Sequence, residues 1–165
     1  MKAMLTGFMF FVTSTTLLSL HAAESIEPAL NGSELEITRW LEDQEGNMLE
    51  LLERIVNINS GSLNKPGVDE IAAIFSRELR ALGFSIATLP GEVIEMPSCP
   101  GSNYNVDVTD HVLASKTGSG KKLLLMGHLD TVFPTSSLFQ TFRREGDTMY
   151  GPGVSDMKGG LVVML

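Results

Sequence analysis

Three side chains carry the chemistry this sequence could do: His128, Asp130 and Asp156. The first two close the stretch Lys122-Leu-Leu-Leu-Met-Gly-His128-Leu-Asp130-Thr-Val, an apolar run of strand-like length that ends on glycine. Alternate residues of an extended segment point to the same side, so His128 and Asp130 share a face at a strand end and Leu129 turns away. Ligands of open α/β sheets sit outside the carboxyl ends of the strands. Imidazole is the commonest protein ligand to a metal, and its second nitrogen usually donates to a carboxylate that orients it. Taken alone, a histidine beside a carboxylate is more often a satisfied polar group of the surface or core. Asp156 lies in Tyr150-Gly-Pro-Gly-Val-Ser-Asp156-Met-Lys-Gly-Gly160, just before a further apolar stretch. Glycines there let the backbone turn tightly and approach a ligand. The loop lacks the Gly-Lys-Ser/Thr of a nucleotide-binding loop. It makes sense as a platform that holds one carboxylate near a metal.

Gly127-His-Leu-Asp-Thr-Val132 followed by Tyr150-Gly-Pro-Gly-Val-Ser-Asp-Met-Lys-Gly-Gly160 resembles the M20-type zinc peptidases, with the glutamate carboxypeptidase branch nearest. The resemblance extends upstream through Leu49 to Leu89. It implies an α/β fold: the N-terminal part of a zinc-peptidase catalytic domain with a mostly parallel central sheet, truncated. It further implies two zinc ions, with His128 on one, Asp156 bridging both, and Asp130 in the catalytic set as the support of the first site. A cis peptide bond is implied at Asp156–Met157. The other ligands, the general-base glutamate and a smaller domain that mediates homodimerisation lie later in such enzymes than Leu165 reaches. The implied substrate is a peptide or N-acyl amino acid, cut beside a free carboxylate. With two recognisable ligands, against the three protein ligands typical of catalytic zinc, this chain alone is expected to be inactive.

The elements that must position these residues follow from periodicity. Leu35, Trp40 and Leu41, then Met48, Leu51, Leu52, Ile55 and Val56, read as helices over 34–44 and 47–57, with Gly46 a break or kink. Asn57 to Ser62 reads as a turn without chemistry. Asp69 to Leu82 reads as a helix with one apolar stripe (Ile71, Ile74, Phe75, Leu79, Leu82), capped at Gly83 and packed on the sheet. Strands are expected over Phe84–Leu89 and Asn103–Val108, with His111 in a polar turn beyond. Residues 122–126 are expected inside the sheet, since their continuous apolar character suits a strand buried on both faces. Thr135 to Phe139 reads as a short helical turn, and Phe142–Glu145 with Thr148–Tyr150 as a hairpin about Gly146-Asp147. Glu145, Asp147 and His111 read as surface groups.

Residues 1–22 read as a secretory signal peptide: one early lysine, no acid, an apolar centre, then Ala22-Ala23. Residues 23–33 read as a linker, and 34–165 as the incomplete catalytic part. The expected place is secreted or periplasmic, without stable membrane association after processing. Removing the leader moves the formal charge from −8 to −9 (11 − 20). Such acidity argues against general nucleic-acid binding, which needs Lys and Arg against phosphates. The single cysteine, Cys99, excludes an intrachain disulfide framework. Two other readings stand beside the enzyme: a non-catalytic remnant, and an exported module that binds a small anion or a metal.

Overall fold

The computed structural model describes residues 30–98 and 102–165. The leader and Cys99 lie outside the described residues. Helix α1 runs unbroken over Gly32–Val56, 25 residues. The Asn31 side chain accepts from the Ser33 and Glu34 amides, while the Glu34 carboxylate accepts from the Asn31 amide. This capping box satisfies otherwise orphaned donors at the helix start. The expected break at Gly46 does not occur. A glycine weakens a helix interior by roughly 1 kcal/mol, too little to interrupt one flanked by good helix formers.

Helix α2 spans Lys65–Ala81, four residues earlier at its start than the periodicity predicts, with Pro66 in its first turn. Proline is tolerated there because the missing N–H has no helical partner anyway. Its end is the expected glycine cap. Gly83 has φ 83°, its amide donates to Arg80 O, and the Phe84 amide donates to Leu79 O, which is a Schellman closure. Ile71, Ile74 and Phe75 are buried, whereas Leu82 is exposed and leaves the predicted stripe.

Strands β1 (Ser85–Leu89), β2 (Val93–Ser98), β3 (Ser102–Asp107) and β4 (His111–Ser115) form nested antiparallel pairs, β1 with β4 and β2 with β3. β2 and β4 were not foreseen, and His111 opens β4 opposite Leu89 instead of lying in a turn. Val112 and Ala114 make the half-buried face of β4 and Ile86 that of β1; α2 packs against this pair. The hairpin β5 (Arg143–Glu145) and β6 (Thr148–Tyr150) turns at Gly146 as expected. Thr135 to Phe139 holds only a turn, closed by the Ser137 amide on Pro134 O. A short helix, α3, covers Gly159–Val163.

The mostly parallel central sheet is not formed. Among the described residues the sheets are three antiparallel pairs, and residues 122–126 belong to none. Leu123 and Met126 are 83% and 79% exposed. An extended apolar segment becomes a buried strand only when strands flank it and layers cover both faces. Here β1 pairs with β4 and β2 with β3 in separate two-stranded sheets, and the bridge between Gly61 and Thr131 lies beyond the segment, on the C-terminal side of His128. The core is instead mostly helical: Leu52, Ile55 and Val56 of α1 pack with Ile71, Ile74 and Phe75 of α2 and Leu161 and Val162 of α3.

Candidate functional site

The three residues singled out by type and spacing come together, although Asp156 is far from the others in sequence. His128 Nδ1 lies 3.0 Å from the Asp130 carbonyl oxygen and 3.2 Å from Asp130 Oδ1. His128 Nε2 lies 3.0 Å from Asp156 Oδ1. Both ring nitrogens therefore face oxygen acceptors. Only a doubly protonated ring can donate to both, so the surroundings favour the imidazolium. The His128 pKa is raised above 6.5, first by the hydrogen bond to Asp156 and further by Asp130, against an opposing effect of burial. The Asp156 side chain is 82% exposed, so its place is set by backbone more than by packing.

Each of these side chains is carried to the site by a specific piece of backbone. The segment ending at His128 passes close to α3. A Cβ on Gly127 would stand 2.8 Å from Leu161 Cδ2 and 2.9 Å from Met157 Cε, so any larger residue would have to push these two side-chain ends aside. The His128 amide donates to Met157 Sδ at 3.4 Å. Beyond it, Thr131 N donates to Ser60 O and Ser62 N to Thr131 O, which docks the His-x-Asp segment on the turn after α1. The Ser62 hydroxyl also donates to Asp130 Oδ2. The turn read as lacking chemistry thus orients the carboxylate that orients the histidine. Nothing in the local pattern of Asn, Ser and Gly distinguishes Ser62 from an ordinary turn residue.

Asp156 sits in a wide turn over Val154–Lys158, where Asp156 (φ −136°, ψ 94°) and Met157 (φ −129°, ψ 32°) leave helical geometry. The Asp156–Met157 peptide bond is cis, as the resemblance implies. At the start of this turn Gly153 takes φ 81°, a conformation that favours glycine. A second residue escaped the sequence reading. Lys158 is fully buried, and its ammonium donates to Ile55 O at 2.8 Å and Ile58 O at 2.9 Å. Burial lowers its pKa to about 8. A lysine between methionine and glycine carries no pattern that foretells this.

A cleft of about 410 Å³ opens beside the three side chains, walled by Val132, Phe133, Phe139, Met149 and Tyr150. Its floor is the glycine loop. Glu145 faces Arg143 at 3.6 Å, and neither it nor Asp147 nor His111 lines the cleft. The donor set suits a divalent cation. Imidazole Nε2 and a carboxylate oxygen converge 3.0 Å apart, and Nδ1 is engaged by Asp130 as a metal-bound histidine requires. The set is partial, since no group of three or more His, Cys, Asp or Glu side chains with metal-holding geometry occurs among the described residues.

Comparison with known proteins agrees with this arrangement. The sequence model described as Peptidase family M20/M25/M40 matches residues 124–165, the span that contains His128, Asp130 and Asp156. Carboxypeptidase G2 of Pseudomonas sp. (strain RS-16) is 34% identical over 125 residues, covering 74% of this chain and 27% of that protein. The chain therefore spans about a quarter of the length of that curated relative. The His-x-Asp and glycine-loop motifs are both in place with their side chains in mutual contact, and over residues 124–165 the chain is similar to the M20 peptidases.

Proposed function

We propose that this chain supplies the first part of the metal site of an exported, zinc-dependent hydrolase that cleaves a peptide or N-acyl amino acid beside a free carboxylate. One observation carries the reading: His128 Nε2 and Asp156 Oδ1 meet 3.0 Å apart while Asp130 engages Nδ1. His128 and Asp156 would hold zinc, and Asp156, with two oxygens and a negative charge, suits a place between two ions. When bound, zinc polarises a scissile carbonyl and lowers the pKa of a bound water towards neutrality. For zinc to bind, Nε2 must give up its proton, and the Asp130 contact then holds the remaining N–H on Nδ1. Phe133, Phe139 and Met149 give the cleft beside these residues an apolar wall. Asp130 orients the ring.

Two donors do not complete a catalytic zinc site, which takes three protein ligands and a water. The expected outcome is thus metal binding without turnover. Purified chain should bind Zn²⁺ in chelator competition, and both His128→Ala and Asp156→Ala should weaken that binding at least about tenfold. Hydrolysis of N-acyl amino acids and dipeptides should stay at background with zinc present. Zinc binding that ignores both substitutions would overturn the site, and zinc-dependent turnover lost in His128→Ala would overturn the expected inactivity.

A further inference from the structure

We propose that Lys158 is a positioning residue for this site, tying the turn that carries Asp156 to the same backbone segment that holds His128 and Asp130. The inference rests on the metal-site reading above and adds the device that brings its two halves into register. Those halves are separate in sequence: Asp130 follows His128 by two residues, and Asp156 follows it by 28. Both are anchored on the end of α1 and the turn that follows it. The first half docks through Ser60, Gly61 and Ser62, whose backbone pairs with Thr131 and whose Ser62 hydroxyl reaches Asp130. The second half docks through Lys158, whose ammonium bonds to the carbonyls of Ile55 and Ile58.

The burial of Lys158 makes the tether specific. Lysine is almost never fully buried without a partner, and here the partners are two carbonyl oxygens at a helix end, where a cation is favoured by the helix dipole. A methionine of similar length would fill the space but leave Ile55 O and Ile58 O without this donor. The stem of Lys158 also lies against Gly153, where a Cβ would meet its Cδ at 3.1 Å, and its amide donates to Gly153 O at 2.7 Å. One residue thus closes the turn from Gly153 and pins it to α1. Asp156, two positions earlier and largely exposed, meets only the His128 ring in the described hydrogen bonds. Its carboxylate has little else to hold it in register.

The test is made on the full chain, with Lys158→Met and with Ile71→Val as a control that perturbs the core elsewhere. In the metal-free protein, nuclear Overhauser contacts between the His128 ring and the Asp156 Cβ protons report the register directly. They should be present in the unaltered chain and in Ile71→Val, and weakened or lost in Lys158→Met. Zn²⁺ affinity should fall about tenfold or more in Lys158→Met, in the range of substitutions around a ligand, and stay near the starting value in the control. Should the methionine variant not fold, Lys158→Gln, which keeps one N–H donor, is read by the same contact. A folded Lys158 variant that keeps the His128–Asp156 contact at full strength overturns the tether. An unaltered chain that shows the contact but binds no Zn²⁺ overturns the metal reading and leaves the tether standing on the contact itself.

Discussion

At the scale of single residues, the site is governed by what each ring nitrogen of His128 faces. With Asp156 on Nε2 and Asp130 on Nδ1, the protonated ring is favoured and its pKa is raised above 6.5. A raised folded-state pKa contributes stability that is fully present below 6.5 and is lost as pH rises through the folded value. The same proton competes with metal, so metal affinity should fall with decreasing pH, beginning above the ordinary histidine range. Nuclear magnetic resonance titration of the His128 ring in metal-free protein should give a midpoint above 6.5. Asp156→Asn removes the largest cause and should bring the midpoint down. An unchanged midpoint in that variant would mean that the Nε2 contact is not made in solution.

At the scale of elements, α1 is the informative case because its two halves live differently. Leu52, Ile55 and Val56 at its C-terminal end belong to the core, while Leu35, Ile37, Trp40 and Leu41 are exposed. The N-terminal half therefore rests on its capping box and its propensity more than on packing. Gly46 is exposed, and a Cβ there would meet nothing within 4 Å. Gly46→Ala should stabilise the helix by about 1 kcal/mol, read as slower amide hydrogen exchange in the residues on either side of position 46. Faster exchange would indicate that the helix bends there. The turn after α1 has a second task at this scale: Asn57 accepts the Phe142 amide, and Asn59 donates to Phe133 O and Gln140 Oε1. It gathers the cleft wall and the His-x-Asp segment onto one support.

At the scale of the whole molecule, a mostly helical core surrounds a buried cation, and this gives stability a pH signature. Lys158 titrates near 8 when folded and near 10.5 when unfolded. Between these values the unfolded chain binds more protons, so this residue makes folding stability rise with pH across that window, by a total on the order of 3 kcal/mol. Urea unfolding from pH 7.5 to 10 should show this rise in the unaltered chain and a flatter profile in Lys158→Met. Parallel profiles would mean that Lys158 keeps its ordinary pKa.

The parts of this protein that close locally are legible in its sequence. Helix α2 and its glycine cap satisfy their own backbone groups within a few residues, and the β5–β6 hairpin does so across a two-residue turn, so periodicity and turn chemistry suffice to read them. The chemistry of His128, Asp130 and Asp156 was legible because two contiguous motifs state residue type and spacing together. The features that local pattern does not reveal depend on partners remote in the chain. Leu123 to Leu125 have the composition of a buried strand, yet a parallel strand needs neighbours on both edges, and none of the described residues provides them. Ser62 and Lys158 look like a turn serine and a solvated lysine until folding brings the carboxylate of Asp130 to the first and the carbonyls of Ile55 and Ile58, at the end of α1 and just beyond it, to the second. A hydrogen bond of this kind joins atoms far apart in sequence, and no local pattern encodes it.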